Sequence, residues 1–85
     1  MYTLQLRKQV VKFINSRTPK ERKIIAEAFE ELRTNPYHNT LDIKKLRGTD
    51  QKYRLRIGDY RFLYALYQEQ VLVYVYKAGN RGDIY

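Results

Sequence analysis

The sequence predicts an α+β domain with an N-terminal strand, a helical hairpin and then antiparallel C-terminal strands. Three observations carry that prediction. Apolar residues alternate at both ends of the chain, at Tyr2, Leu4 and Leu6 and again from Tyr53 onward. Between these stretches they recur at helical spacing. The dipeptide Asn35-Pro36 then closes the helical stretch, because a residue before proline is pushed out of the helical region.

Each element has its own signal. From Arg7 the period changes, and Val10, Val11, Phe13 and Ile14 predict a short first helix ending near Asn15-Ser16. Thr18-Pro19-Lys20-Glu21 reads as the start of the next, with Thr18 as N-cap, Pro19 at the first helical position and Glu21 closing a capping box. Ile24, Ile25, Ala28, Phe29 and Leu32 give that helix an apolar stripe, expected to be core. Residues 36–50 read as a mixed loop. Strands are then expected at Tyr53–Ile57, Tyr60–Tyr67 and Val71–Lys77, joined by a type II′ turn at Gly58-Asp59 and a polar turn near Glu69-Gln70. The helix pair should cover one face of the sheet.

Composition narrows the classes. A chain of 85 residues fits a single domain spanning 1–85. An apolar fraction of 44% argues for a packed core rather than a disordered tail. No cysteine is present, which excludes disulfides and Cys-based metal sites and fits a reducing cytoplasm. No apolar run approaches a membrane span and no signal-peptide core follows Met1, so a soluble cytoplasmic protein is expected. One histidine, His38, gives no metal cluster and reads as an ordinary loop residue. No phosphate-binding glycine loop occurs, and no cofactor is expected.

The net charge of +8 is concentrated. Lys44, Lys45, Arg47, Lys52, Arg54, Arg56 and Arg61 face only Asp50 and Asp59 within residues 44–61. A positive field of this kind favours a polyanion.

Strand register gives that charge a direction. With Gly58 and Asp59 as the loop, Ile57 pairs with Tyr60, Leu55 with Phe62 and Tyr53 with Tyr64, making one apolar face for the helices. Arg54 and Arg56 then lie on the opposite face, with Arg56 across from Arg61. Like charges directly opposite are destabilising, and the hairpin itself supplies no acidic partner there. Leu63, Tyr67, Leu72, Tyr74 and Tyr76 share this open face. Guanidinium groups that hold phosphates beside rings that stack on bases suit single-stranded RNA. The alternative is a solvated face whose arginines only guard the sheet against aggregation.

Two segments carry a resemblance. Lys44-Lys45-Leu46-Arg47-Gly48 and Tyr53-Arg54-Leu55-Arg56-Ile57-Gly58-Asp59-Tyr60-Arg61-Phe62-Leu63-Tyr64 resemble the central signature of RelE/ParE-superfamily toxins. The ending Gly79-Asn80-Arg81-Gly82-Asp83-Ile84-Tyr85 is similar to that family's closing motif, and Leu32-Arg33-Thr34-Asn35-Pro36 matches as well. The likeness is closer to RelE-type than to ParE-type toxins, chiefly through Tyr85 and the paired basic residues 54 and 56.

The resemblance implies metal-independent cleavage of mRNA in the ribosomal A site, with the substrate's own 2′-OH as nucleophile and a cognate antitoxin as protein partner. By position it assigns Arg54 and Arg56 to two basic residues of the active strand, Arg61 to phosphate binding, Arg81 to a further catalytic arginine and Tyr85 to base stacking. Lys44, Lys45, Arg47, Lys52, Tyr74 and Tyr76 are the expected RNA-binding surround. Two alternatives remain open on the sequence: a ParE-like toxin that binds DNA gyrase, and a non-catalytic member that only binds antitoxin or nucleic acid. Arg54 supports the latter, since it stands where RelE-type enzymes can carry lysine and a guanidinium does not readily release a proton. So does Asn80, which stands where many relatives have histidine.

Overall fold

The structure is a computed structural model that describes residues 1–37 and 39–80. In chain order the elements are β1 (Thr3–Leu6), α1 (Lys8–Asn15), α2 (Pro19–Thr34), β2 (Asp42–Lys45), β3 (Lys52–Ile57), β4 (Tyr60–Tyr67) and β5 (Leu72–Asn80). The strands form one sheet in the order β1-β5-β4-β3-β2. β1 runs parallel to β5, and the other neighbours are antiparallel. The helical hairpin therefore carries the chain from one edge of the sheet to the other.

Local chemistry sets the helix ends. The Thr18 hydroxyl accepts from the Glu21 amide, while the Glu21 carboxylate accepts from the Thr18 amide. That capping box starts α2 as expected from the sequence. Glu21 also accepts a hydrogen bond from the Tyr60 hydroxyl, tying the helix start to the β3–β4 hairpin. This bond and the Thr18 amide hold the Glu21 carboxyl below its ordinary range. At the other end, the Arg33 carbonyl accepts from the Tyr2 amide and the Arg33 Nε donates to the Tyr2 carbonyl, fixing the entry to β1.

The core lies between the helices and one sheet face. Val10, Ile25, Phe29 and Leu32 from the helices pack with Leu55, Phe62, Tyr64, Val73 and Val75 from the strands. Phe62 meets both Phe13 and Phe29 edge-on, an arrangement that aromatic quadrupoles favour. Burial raises the Tyr64 hydroxyl well above its ordinary range, so it stays neutral. No helix among the described residues is long and apolar enough to cross a membrane.

Four expectations need correction. Residues 36–50 are not all loop, because Asp42–Lys45 pairs with β3. Of this edge strand only Ile43 packs against the core, and the rest is charged, a composition that protects sheet edges but hides the strand in the sequence. Val71 does not begin β5; it sits in the turn at φ +51, and the strand runs from Leu72 to Asn80. Ile24 is 48% exposed, so the apolar stripe of α2 is wider than the core it fills. Finally, a β-bulge interrupts β4–β5 pairing between Leu63 and Tyr64, shifting the alternation of β5 by one residue.

Candidate nucleic-acid interface

The hairpin turn decides which side chains reach the open face. Gly58 has φ +58 and Asp59 does not adopt a left-handed backbone, as a type II′ turn requires. The resulting register pairs Ile57 with Tyr60, Leu55 with Phe62 and Tyr53 with Tyr64. Leu55 is sealed in the core, and Arg54 and Arg56 on either side of it lie on the face away from the helices.

Cross-strand lines then organise that face. One runs Asp42–Arg56–Arg61–Gly79, and the next Lys44–Arg54–Leu63–Lys77. The Arg56–Arg61 juxtaposition expected from the hairpin is present, and β2 brings a carboxylate to it. Arg54 Nη2 donates to Asp42 Oδ1 at 3.0 Å, with the Arg54 side chain 13% exposed and Asp42 55%. Arg56 is exposed, and its Nε donates to the Gly58 carbonyl at 3.3 Å. Arg61 is half-buried, its Nε and Nη1 packed into the face. The three arginines thus differ: two are held by their surroundings and one is free to reach out.

Beside them opens a groove of about 760 Å³ lined by Lys44, Lys45, Leu46, Arg47, Gly48, Thr49, Arg54 and Arg61. Among the described residues no acidic side chain lines it, so these residues give it a positive field. Gly48 turns the β2–β3 loop at φ +79, and the Thr49 hydroxyl accepts from the Gln51 and Lys52 amides to close it. Two of its lining cations have acidic neighbours outside the lining, Arg54 with Asp42 and Lys45 with Asp50 at 3.8 Å, the latter pair well exposed.

The aromatic residues form a second patch. The Tyr74 and Tyr76 ring centroids are 6.4 Å apart, and Lys52 Nζ lies 5.5 Å from the Tyr76 ring centre. Burial, followed by the nearby Tyr67, raises the Tyr76 hydroxyl, keeping it neutral. Lys52 and Arg56 are four residues apart on β3, which places the two patches about 13 Å from each other. The face is less open than the sequence suggests. Leu63 and Ala65 are buried within it, and both tyrosines are half-buried. Arg81 and Tyr85 lie outside the described residues, as does His38.

No protein-family model matches the chain. Over 85 residues it is 32% identical to the RelE1 protein of Methanocaldococcus jannaschii, a match covering 99% of this chain and 94% of that relative. The chain belongs to the RelE toxin family. Among solved structures, this RelE-family chain is similar to the archaeal RelE–RelB complex from Pyrococcus horikoshii OT3, with a TM-score of 0.84, 30% identity and coverage of 96% and 97% of the two chains. It is also similar to the RelB–RelE antitoxin–toxin complex from Methanococcus jannaschii, at TM-score 0.76 and 28% identity over 95% and 94%.

Two residues of the RelE face escaped the sequence reading. Asp42 belongs to β2, whose charged sequence reads as loop. Lys77 would face the helices if β5 alternated without interruption, and the bulge turns it to the open side opposite Leu63. Nothing in the local sequence marks that bulge. Its sign is only that Tyr76, Lys77 and Gly79 cannot all alternate consistently with the buried Val73, Val75 and Ala78.

Proposed function

We propose that this chain is a toxin that cleaves mRNA in the ribosomal A site and is neutralised by a cognate antitoxin. The observation that carries the reading is the meeting of Arg54, Arg56 and Arg61 on one face of the sheet, beside a groove lined among the described residues by no acidic side chain. Membership of the RelE family supports it, and the solved relatives in complex with RelB support an antitoxin partner.

The chemistry asks three things of the site. The 2′-oxygen attacks the adjacent phosphorus as its proton leaves, forming a 2′,3′-cyclic phosphate, while the departing 5′-oxygen takes up a proton. Arg56, Arg61 and Arg81 stabilise the extra charge on the phosphate in the transition state. Arg54, fixed by Asp42, stays cationic and aligns the backbone. The Tyr85 ring stacks on a base and orients the 2′-OH. Its hydroxyl is the chain's own candidate for proton transfer, since a guanidinium does not serve as a base. Lys44, Lys45, Arg47 and Lys52 hold flanking phosphates, and Tyr74 and Tyr76 stack on neighbouring bases.

The test uses purified protein with translating ribosomes, beside a DNA gyrase supercoiling assay. mRNA cleavage without gyrase inhibition supports the reading; gyrase inhibition without cleavage assigns the ParE-like activity instead. Tyr85→Ala should slow cleavage about 100-fold through lost positioning. Tyr85→Phe separates the roles: retained activity makes the ring a platform, and activity as low as that of the alanine variant makes the hydroxyl part of proton transfer.

A further inference from the structure

Lys77 occupies a position that the alternation of β5 would deny it. The bulge between Leu63 and Tyr64 leaves Val75 paired with Tyr64 on the buried side but pairs Lys77 with Leu63 on the open side. Its side chain is exposed, and it makes no ion pair with a described residue. Leu63 beneath it is buried and apolar, so nothing on that cross-strand line compensates an ammonium group. The placement is also intermediate. Lys77 lies on the Lys44–Arg54–Leu63 line, about 7 Å along the strands from the Arg56–Arg61 line and about 7 Å from the line holding Lys52, Ala65 and Tyr74. It therefore stands between the Arg56–Arg61 line and the tyrosine patch, across the buried Leu63 from Arg54, whose guanidinium is held by Asp42.

We infer that Lys77 is a phosphate-binding residue that joins the two patches into one track for single-stranded RNA. A strand with a base stacked on Tyr76 and a phosphate at Arg56 and Arg61 carries its intervening backbone past Leu63. There Lys77 is the exposed cation on the β5 side, and Arg54, already paired with Asp42, lies on the β3 side. The bulge is what makes the track continuous. In a regular ladder Lys77 would point into the core face. The inference rests on the RNA-binding reading of this face.

The test is fluorescence anisotropy of a labelled 12-nucleotide uridine oligomer titrated with the full-length chain at several salt concentrations. Lys77→Ala should weaken binding several-fold and reduce the log–log salt slope by about 0.7, the loss of one phosphate contact on a single strand. Lys77→Arg should restore the slope, because any cation at this place serves. Lys23→Ala, on the outer side of α2, is the charge-matched control and should leave the slope unchanged. If Lys77→Ala binds like the wild type while Arg56→Ala is weakened, Lys77 is outside the track and this inference fails alone. If Arg56→Ala also binds like the wild type, or the wild type does not bind the oligomer, the RNA-binding reading of the face fails with it.

Discussion

Along β3, Leu55 is wholly buried against the helices, and its neighbours Arg54 and Arg56 lie on the other side of the sheet. The two faces obey different rules. The helix side is apolar and holds aromatic rings edge-on to one another, so its side chains are chosen for volume and shape. The open side sets arginine across from arginine and lysine across from arginine, pairings that cost stability in an isolated sheet. A sheet that tolerates such pairs on one face, above a well-packed core on the other, uses the core to support the charge that the proposed RNA binding requires.

Adjacent substitutions break that comparison most directly. Leu55→Ala should cost about 2–5 kcal/mol of stability through the cavity it leaves, while the folded fraction binds RNA as before. Urea denaturation and anisotropy on the same sample check both halves. Lost affinity per folded molecule would show that the faces are coupled. Arg56→Ala should do the reverse. Because Arg56 is exposed, its stability should stay within about 0.5 kcal/mol of the wild type. RNA affinity should fall about tenfold or more through loss of a charge-assisted contact. A large drop in melting temperature would make Arg56 part of the fold rather than of the binding face.

Asp42 sharpens the contrast from within the open face. Its carboxylate stabilises Arg54 but opposes an incoming phosphate. Asp42→Asn should therefore cost only about 0.2–1 kcal/mol, as expected of a pair with one well-exposed partner. It should strengthen RNA binding by roughly two- to threefold through removal of one like charge. Weaker binding would mean that the Asp42–Arg54 bond is needed to present the guanidinium.

The same contrast explains what the sequence could and could not reveal. The core face was legible because buried positions repeat with the period of their element. Leu55, Phe62, Tyr64, Val73 and Val75 alternate, and the Thr18–Glu21 capping box has a fixed spacing. The turn at Gly58-Asp59 fixed the register, and with it the side on which Arg54, Arg56 and Arg61 lie. What stayed hidden depends on contacts between distant segments. β2 is a strand because β3 lies beside it, and only Ile43 of its four residues packs against the core. The β5 bulge is a property of the β4–β5 ladder, so Lys77 appears on its face only once both strands are in place. The turn at Val71 likewise places a β-branched residue at positive φ, a conformation its type does not announce.

The most direct test of the account is induced expression in bacteria, with and without an antitoxin encoded beside the toxin, followed by mapping of mRNA 5′ ends. Wild-type chain should produce new ends confined to translated regions, and co-expressed antitoxin should abolish them. An Arg56→Ala/Arg61→Ala double variant, shown to be folded by circular dichroism, should produce none. New ends that ignore the reading frame's boundaries, or that persist at wild-type level in the folded double variant, would contradict the claim that this arginine face cleaves mRNA on the ribosome.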